Sequence, residues 1–166
     1  MATKTSLFAL LLIAASMPAL ALDKGDAVPA LALPAADGTT VDLASLRGQV
    51  VLVDFWASWC GPCRESFPWF AQLHERLAPK GLRIVAISLD EERSEADRFL
   101  ASYPAPFTVL FDPEQTAGPL FALPAMPTSY LVGRDGIVRA RHAGFRAKDR
   151  EVLESEIAAA LAEPAP

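Results

Sequence analysis

The pattern of apolar and polar positions divides the chain into blocks. Leu7 to Ala15 is an unbroken apolar run near the N-terminus. Val28-Pro29-Ala30-Leu31 and Thr39 to Leu43 then read as short strands around an Asp37-Gly38 turn. Ala44 to Arg47 forms a short turn that Gly48 ends. Val51, Leu52 and Val53 mark a buried strand. Phe67, Phe70, Leu73 and Leu77 follow at helical spacing, and that helix should close near Lys80-Gly81. Leu82 to Leu89 is a second buried strand, and Ser94 to Tyr103 a helix with Ala96, Phe99 and Leu100 inward, stopped by Pro104 and Pro106. Phe107 to Phe111 is a short strand, and Gln115 to Leu123 an irregular helical segment containing Gly118 and Pro119. Ser129 to Val132 and Ile137 to Ala143 are strands joined by Arg134-Asp135-Gly136, a hairpin signal. Ala147 to Leu161 is a terminal helix with Val152, Leu153, Ile157 and Leu161 on one face, and Pro164 and Pro166 lie in a tail, residues 164–166. Strands alternating with helices imply an α/β domain containing a parallel βαβ unit.

Composition narrows the class. The 166 residues suffice for one domain with a sizeable core. A net charge of −5 argues against a nucleic-acid partner, which needs a basic face. Residues 1–21 read as an export signal: Lys4 is the only charge, the apolar block follows, and Ala19-Leu20-Ala21 offers an A-x-A cleavage site. Cleavage would leave a soluble mature chain from Leu22, one unit more negative. The alternative is an uncleaved membrane anchor, for which the apolar block is short.

Only two cysteines are present, Cys60 and Cys63. A pair so close constrains an unfolded chain too little to serve as a staple. It also falls short of a zinc site, which needs about four ligands. His74 and His142, the only histidines, read as solvated surface residues. Cys60 falls where a strand gives way to a helix. Free N–H groups of a first helical turn stabilise an anion there, and the thiolate is the reactive form of cysteine. Pro62 suits that turn because its missing N–H costs nothing. Cys63 is close enough to close a small disulfide ring. Asp54, an acid inside an apolar strand, is costly unless it is satisfied or used, and desolvation should raise its pKa.

The stretch V-D-F-W-A-S-W-C-G-P-C, from Val53 to Cys63, resembles the active-site motif of thioredoxins. Pro68 falls where thioredoxins kink the same helix, and Ala125 to Val132 (A-M-P-T-S-Y-L-V) resembles their cis-proline strand. The N-terminal extension, the export signal and the acidic insert Ile87 to Glu92 are similar to the TlpA/ResA group of exported thioredoxin-like reductases. The resemblance implies a thioredoxin fold over residues 22–163: a central mixed sheet flanked by helices, with an N-terminal β-hairpin extension over 22–47.

It also implies the chemistry. Cys60 would be the nucleophile and the more exposed sulfur, Cys63 the resolving thiol, and Asp54 the acceptor of the Cys63 proton through water. Trp59, Gly61, Pro62, Met126 and a cis Pro127 would contact substrate, with Trp59 covering the disulfide and the Met126 backbone pairing with an extended segment. Trp56 would pack beneath, and Trp69 would be core or groove wall. Glu91 aligns with an active-site glutamate of ResA-like proteins, with Asp90 and Glu92 as register rivals. The expected activity is reduction of protein disulfides, as in cytochrome c or copper-site maturation, by a periplasmic or otherwise exported monomer. It would need no cofactor beyond the Cys60–Cys63 pair and would draw electrons from a membrane thiol donor of the DsbD/CcdA type. The rival reading is a periplasmic metal-binding chaperone using the two thiolates. A peroxiredoxin-like peroxidase would need a Pro-x-x-x-Thr-x-x-Cys pattern that the chain lacks.

Overall fold

The computed structural model describes residues 22–165; the expected export signal lies outside them. Five strands form one sheet: β3 (Val50–Trp56), β4 (Leu82–Ser88), β5 (Thr108–Phe111), β6 (Thr128–Val132) and β7 (Val138–Ala143), in the order β5-β4-β3-β6-β7. β3, β4 and β5 run parallel, while β6 and β7 are antiparallel additions at the other side. A separate antiparallel hairpin pairs β1 (Ala32–Pro34) with β2 (Thr40–Asp42). The helices are α1 (Cys63–Leu77), α2 (Arg93–Ser102), α3 (Ala117–Phe121) and α4 (Arg150–Ala162). This is the mixed, helix-flanked sheet of a thioredoxin fold, with the expected N-terminal hairpin added to it.

Every residue of β3 is buried, because the strand is central and covered on both faces. Successive side chains alternate between two cores. Val50, Leu52 and Trp56 join Phe67, Phe70 and Leu73 of α1, Phe99 of α2, and Leu153 and Ile157 of α4. Val51, Val53 and Phe55 join Leu33 of the hairpin, Phe121 of α3, and Tyr130. The Phe67 ring lies 4.8 Å from Trp56, 4.9 Å from Phe99 and 5.6 Å from Phe107, centroid to centroid. Truncation of Phe67 to alanine should therefore cost about 3–5 kcal/mol, read as a lower urea midpoint at unchanged slope.

α1 continues past Pro68, which lies on its exposed side, and passes through a short 3-10 turn at Ala78–Lys80. Gly81 then ends it at φ 99°, a left-handed conformation that glycine adopts without a Cβ clash. At the far end of α4, the Arg134 guanidinium donates to the carbonyls of Ala160, Leu161 and Glu163, satisfying acceptors that a helix C-terminus leaves free.

Several expectations shift. The first hairpin strand is Ala32–Pro34 rather than Val28 to Leu31. The tight turn sets the register: Ala35 N–H donates to Thr39 O, and Asp37 accepts from the Thr39 backbone and hydroxyl. Residues 27 and 28 are instead held against the β6–β7 turn, where Ala27 bridges Ile137 and Val28 N–H donates to Gly136 O. On α4, Val152 is exposed, and Ala160 joins Leu153 and Ile157 in the core. Neither histidine is a plain surface residue. His74 is half-buried with its ring edge toward Phe107, and His142 is half-buried with Nε2 2.6 Å from a Glu156 carboxylate oxygen. Among the described residues, no helix is long and apolar enough to cross a membrane.

Candidate active site

Strand β3 ends at Trp56, at the C-terminal end of the parallel strands, and a turn over residues 57–62 carries the chain into α1. Cys60 N–H donates to Ala57 O at 3.0 Å, which folds that turn back on itself. Cys60 and Cys63 form a disulfide with Cα atoms 5.4 Å apart. Pro62 is the N-cap of α1, at φ −62°, so the first free helical N–H groups lie next to Cys60. One of them, Cys63 N–H, donates to Cys60 Sγ at 3.3 Å. The same donor would favour a thiolate on Cys60 once the bond is reduced. Cys60 is 3% exposed and Cys63 0%, so the expected order holds although both residues are buried. Gly61 is exposed, and a Cβ there would meet nothing within 4 Å. The chain next to Cys60 is therefore open to solvent at Gly61.

Trp59 is 66% exposed. It lines a groove of about 820 Å³ with Glu91, Glu92, Gln115, Leu123 and Met126. Trp56 by contrast is fully buried, with its ring centroid 4.6 Å from that of Phe99. Trp69 is core, stacked near Phe70 and Phe145. The Met126–Pro127 peptide bond is cis, Pro127 is buried and Met126 half-buried. Among the described residues, no backbone hydrogen bond engages Met126 N–H or C=O, whereas Pro127 O accepts from Gly144 N–H at 2.7 Å. Met126 thus presents a free backbone edge beside the groove.

Three acids follow β4, and their surroundings separate them. Asp90 is buried and accepts from the Ser58 N–H and hydroxyl and from the Ser88 hydroxyl, at 2.8–3.1 Å. It ties the turn before Cys60 to the end of β4. Glu91 is exposed on the groove and accepts from Gln115 Nε2 at 3.1 Å. Glu92 is also exposed there and occupies the N-cap position of α2 without a side-chain capping bond. Of the three, Glu91 and Glu92 are free to meet a partner, and Asp90 is committed to the fold.

Asp54 is fully buried on the α1 side of the sheet. Its Oδ1 accepts from the Ser129 hydroxyl at 2.6 Å, and its buried Oδ2 has no protein partner. Burial pushes this carboxyl up from 3.8 to about 7, with the Ser129 hydroxyl pulling the other way. A group that titrates near neutrality can exchange a proton at working pH. Sequence reasoning missed Ser58, Ser88, Ser129 and Gln115, all of them partners of acids it did single out. Among the described residues, no group of three or more His, Cys, Asp or Glu side chains is placed to hold a metal ion.

Fold and site together define a thiol-disulfide oxidoreductase, since a Cys-Gly-Pro-Cys disulfide at a helix start has its chemistry in thiol exchange. The chain belongs to the Redoxin family, whose profile matches residues 23–161. It is 34% identical over 130 residues to the thiol-disulfide oxidoreductase ResA of Oceanobacillus iheyensis, covering 76% of this chain and 68% of that relative. It is 28% identical over 117 residues to the ResA of Bacillus subtilis, covering 70% and 65%. The chain thus spans about two thirds of these relatives' length. Among solved structures, it resembles a provisionally named thiol:disulfide interchange protein DsbE from Chlorobium tepidum, at 50% identity and a TM-score of 0.82, covering 85% of this chain and 99% of that one.

Proposed function

We propose that the protein is an exported reductant of protein disulfides. The observation that carries this reading is the redox-active pair at the head of α1, beside a groove with an exposed tryptophan and a free Met126 edge. In the reduced protein the Cys60 thiolate attacks one sulfur of a substrate disulfide. The substrate S–S bond breaks, its other sulfur leaves as a thiolate, and Cys60 is joined to the substrate. Asp54 takes the proton of Cys63, whose thiolate then attacks Cys60 and releases the second substrate sulfur. Two electrons pass to the substrate, and the Cys60–Cys63 disulfide is restored. A membrane thiol donor of the DsbD/CcdA type would return them.

Met126 pairs its backbone with an extended substrate segment, and Trp59, Gly61 and Pro62 give it an open apolar contact. Glu91 lies where it can meet the segment's polar side. Apocytochrome c, or a copper-site protein of an oxidase, is the kind of substrate that the TlpA/ResA resemblance suggests. A reducing direction suits Gly61-Pro62, which places no positive side chain between the cysteines to hold the thiolate.

Redox titration against glutathione or dithiothreitol tests the direction. A potential near the thioredoxin value of about −270 mV supports a reductant, and one near the DsbA value of about −120 mV makes oxidative folding the role instead.

A further inference from the structure

We infer that Ser129 is a positioning residue of the exchange reaction: its hydroxyl holds the Asp54 carboxyl in one orientation and leaves Oδ2 as the atom that gains and loses the proton. The inference rests on the reading of Asp54 as the base for Cys63.

The antiparallel register of β3 and β6 sets Ser129 directly opposite Asp54, so the two side chains share a face of the sheet. Ser129 is 4% exposed and Asp54 0%, and their hydrogen bond is 2.6 Å long. On the other flank the register sets Ala86 of β4 opposite Asp54, and a methyl group offers no hydrogen bond. Ser129 is therefore the carboxyl's protein partner, and it engages one oxygen. An oxygen that already accepts a hydrogen bond is the poorer base, so the proton goes to Oδ2.

Few charges face this carboxyl. From α1, Cys63 shares the core on this face of the sheet with Leu52 and Trp56. β4 contributes none. One strand beyond Ser129, His142 of β7 stands opposite it with Nε2 bonded to Glu156 of α4. With so little charge nearby, the serine hydroxyl is the group that offsets burial and keeps part of Asp54 ionised at neutral pH.

The test uses Ser129→Ala, Ser129→Thr and Asp54→Asn in the otherwise intact mature chain. Two quantities are followed against pH: the ionisation of Asp54, by carboxyl-carbon NMR, and the rate at which Cys63 resolves a mixed disulfide. Loss of the hydroxyl should move both midpoints up by about one unit, a tenfold loss of rate on the acid side. The full rate should return at high pH, which a mere packing defect would not produce, and Ser129→Thr should restore both midpoints. If Ser129→Ala fails to fold, Ser129→Val, which has the shape of Ser129→Thr without a donor, carries the same expectation.

Unchanged midpoints in Ser129→Ala, with Asp54→Asn slow, overturn the role of Ser129 alone. A shifted carboxyl with an unshifted rate, and Asp54→Asn at the wild-type rate, overturn the reading of Asp54 and this inference with it.

Discussion

Replacing Cys60 by serine should abolish disulfide exchange, with a rate loss of roughly three orders of magnitude or more, because the covalent step loses its nucleophile. Replacing Cys63 by serine should act differently. The first attack still occurs, but no thiol remains to release the substrate, so a mixed disulfide through Cys60 accumulates. The asymmetry follows from position. Cys60 adjoins the exposed Gly61 and has a helical N–H directed at its sulfur, while Cys63 is the first residue of α1 and wholly buried. Alkylation of the reduced protein should report the same order, with Cys60 reacting well below the free-thiol pKa of about 8.5. Trapping on a Cys60→Ser variant through Cys63, or faster alkylation of Cys63 at neutral pH, would reverse the assignment. Mass spectrometry of the trapped species would also name the substrate.

The stretch from Val51 to Cys63 was legible because each feature is local. An apolar run, two cysteines and a proline at the helix start all act over a few residues, and the structure places them as expected. The main strands and helices were legible for the same reason, since the central strands are continuous apolar runs and the helices bury positions at a spacing of about 3.6 residues. What escaped was register. Nothing near Asp54 says that Ser129, 75 residues away, will stand opposite it. Nothing near Asp90 says that Ser58 will donate to it, so the three consecutive acids looked alike until the end of β4 fixed which one turns inward. The first hairpin strand was misplaced because Val28 to Leu31 has the apolar content of a strand, while the Asp37-Gly38 turn counts its partners back only to Ala32. Val152 looked inward by spacing but sits on the outer side of α4, where Ala160 takes the buried position.

Asp54→Asn should slow the enzyme and, above neutral pH, stabilise it, with the stability difference growing as pH rises. If Asp54 is the base for Cys63, as proposed, its loss should slow resolution about a hundredfold or more at neutral pH. As a buried acid, it works against the fold. Its pKa rises from 3.8 in the unfolded chain to about 7 in the native one. Between those values the native state holds a proton that the unfolded state has lost, so stability falls as pH rises. The penalty is absent below pH 4, where the group is protonated in both states, grows from pH 4 to 7, and is complete above. A shift of about three units at about 1.36 kcal/mol each sets the loss near 4 kcal/mol. Asparagine carries no charge at any of these pH values, and its carbonyl can still accept from Ser129. Its amide, placed where Oδ2 stood, would be buried without a partner at a cost of about 1–3 kcal/mol. The variant should therefore be about as stable as the wild type, or less so, at pH 4. It should become more stable by about 1–3 kcal/mol at pH 8, the difference between those two magnitudes. Urea unfolding across this range, with the disulfide intact, measures the divergence. A wild-type stability that stays parallel to the variant's from pH 5 to 8 would mean that Asp54 is ionised in the native state throughout, and its part in moving the Cys63 proton would have to be given up.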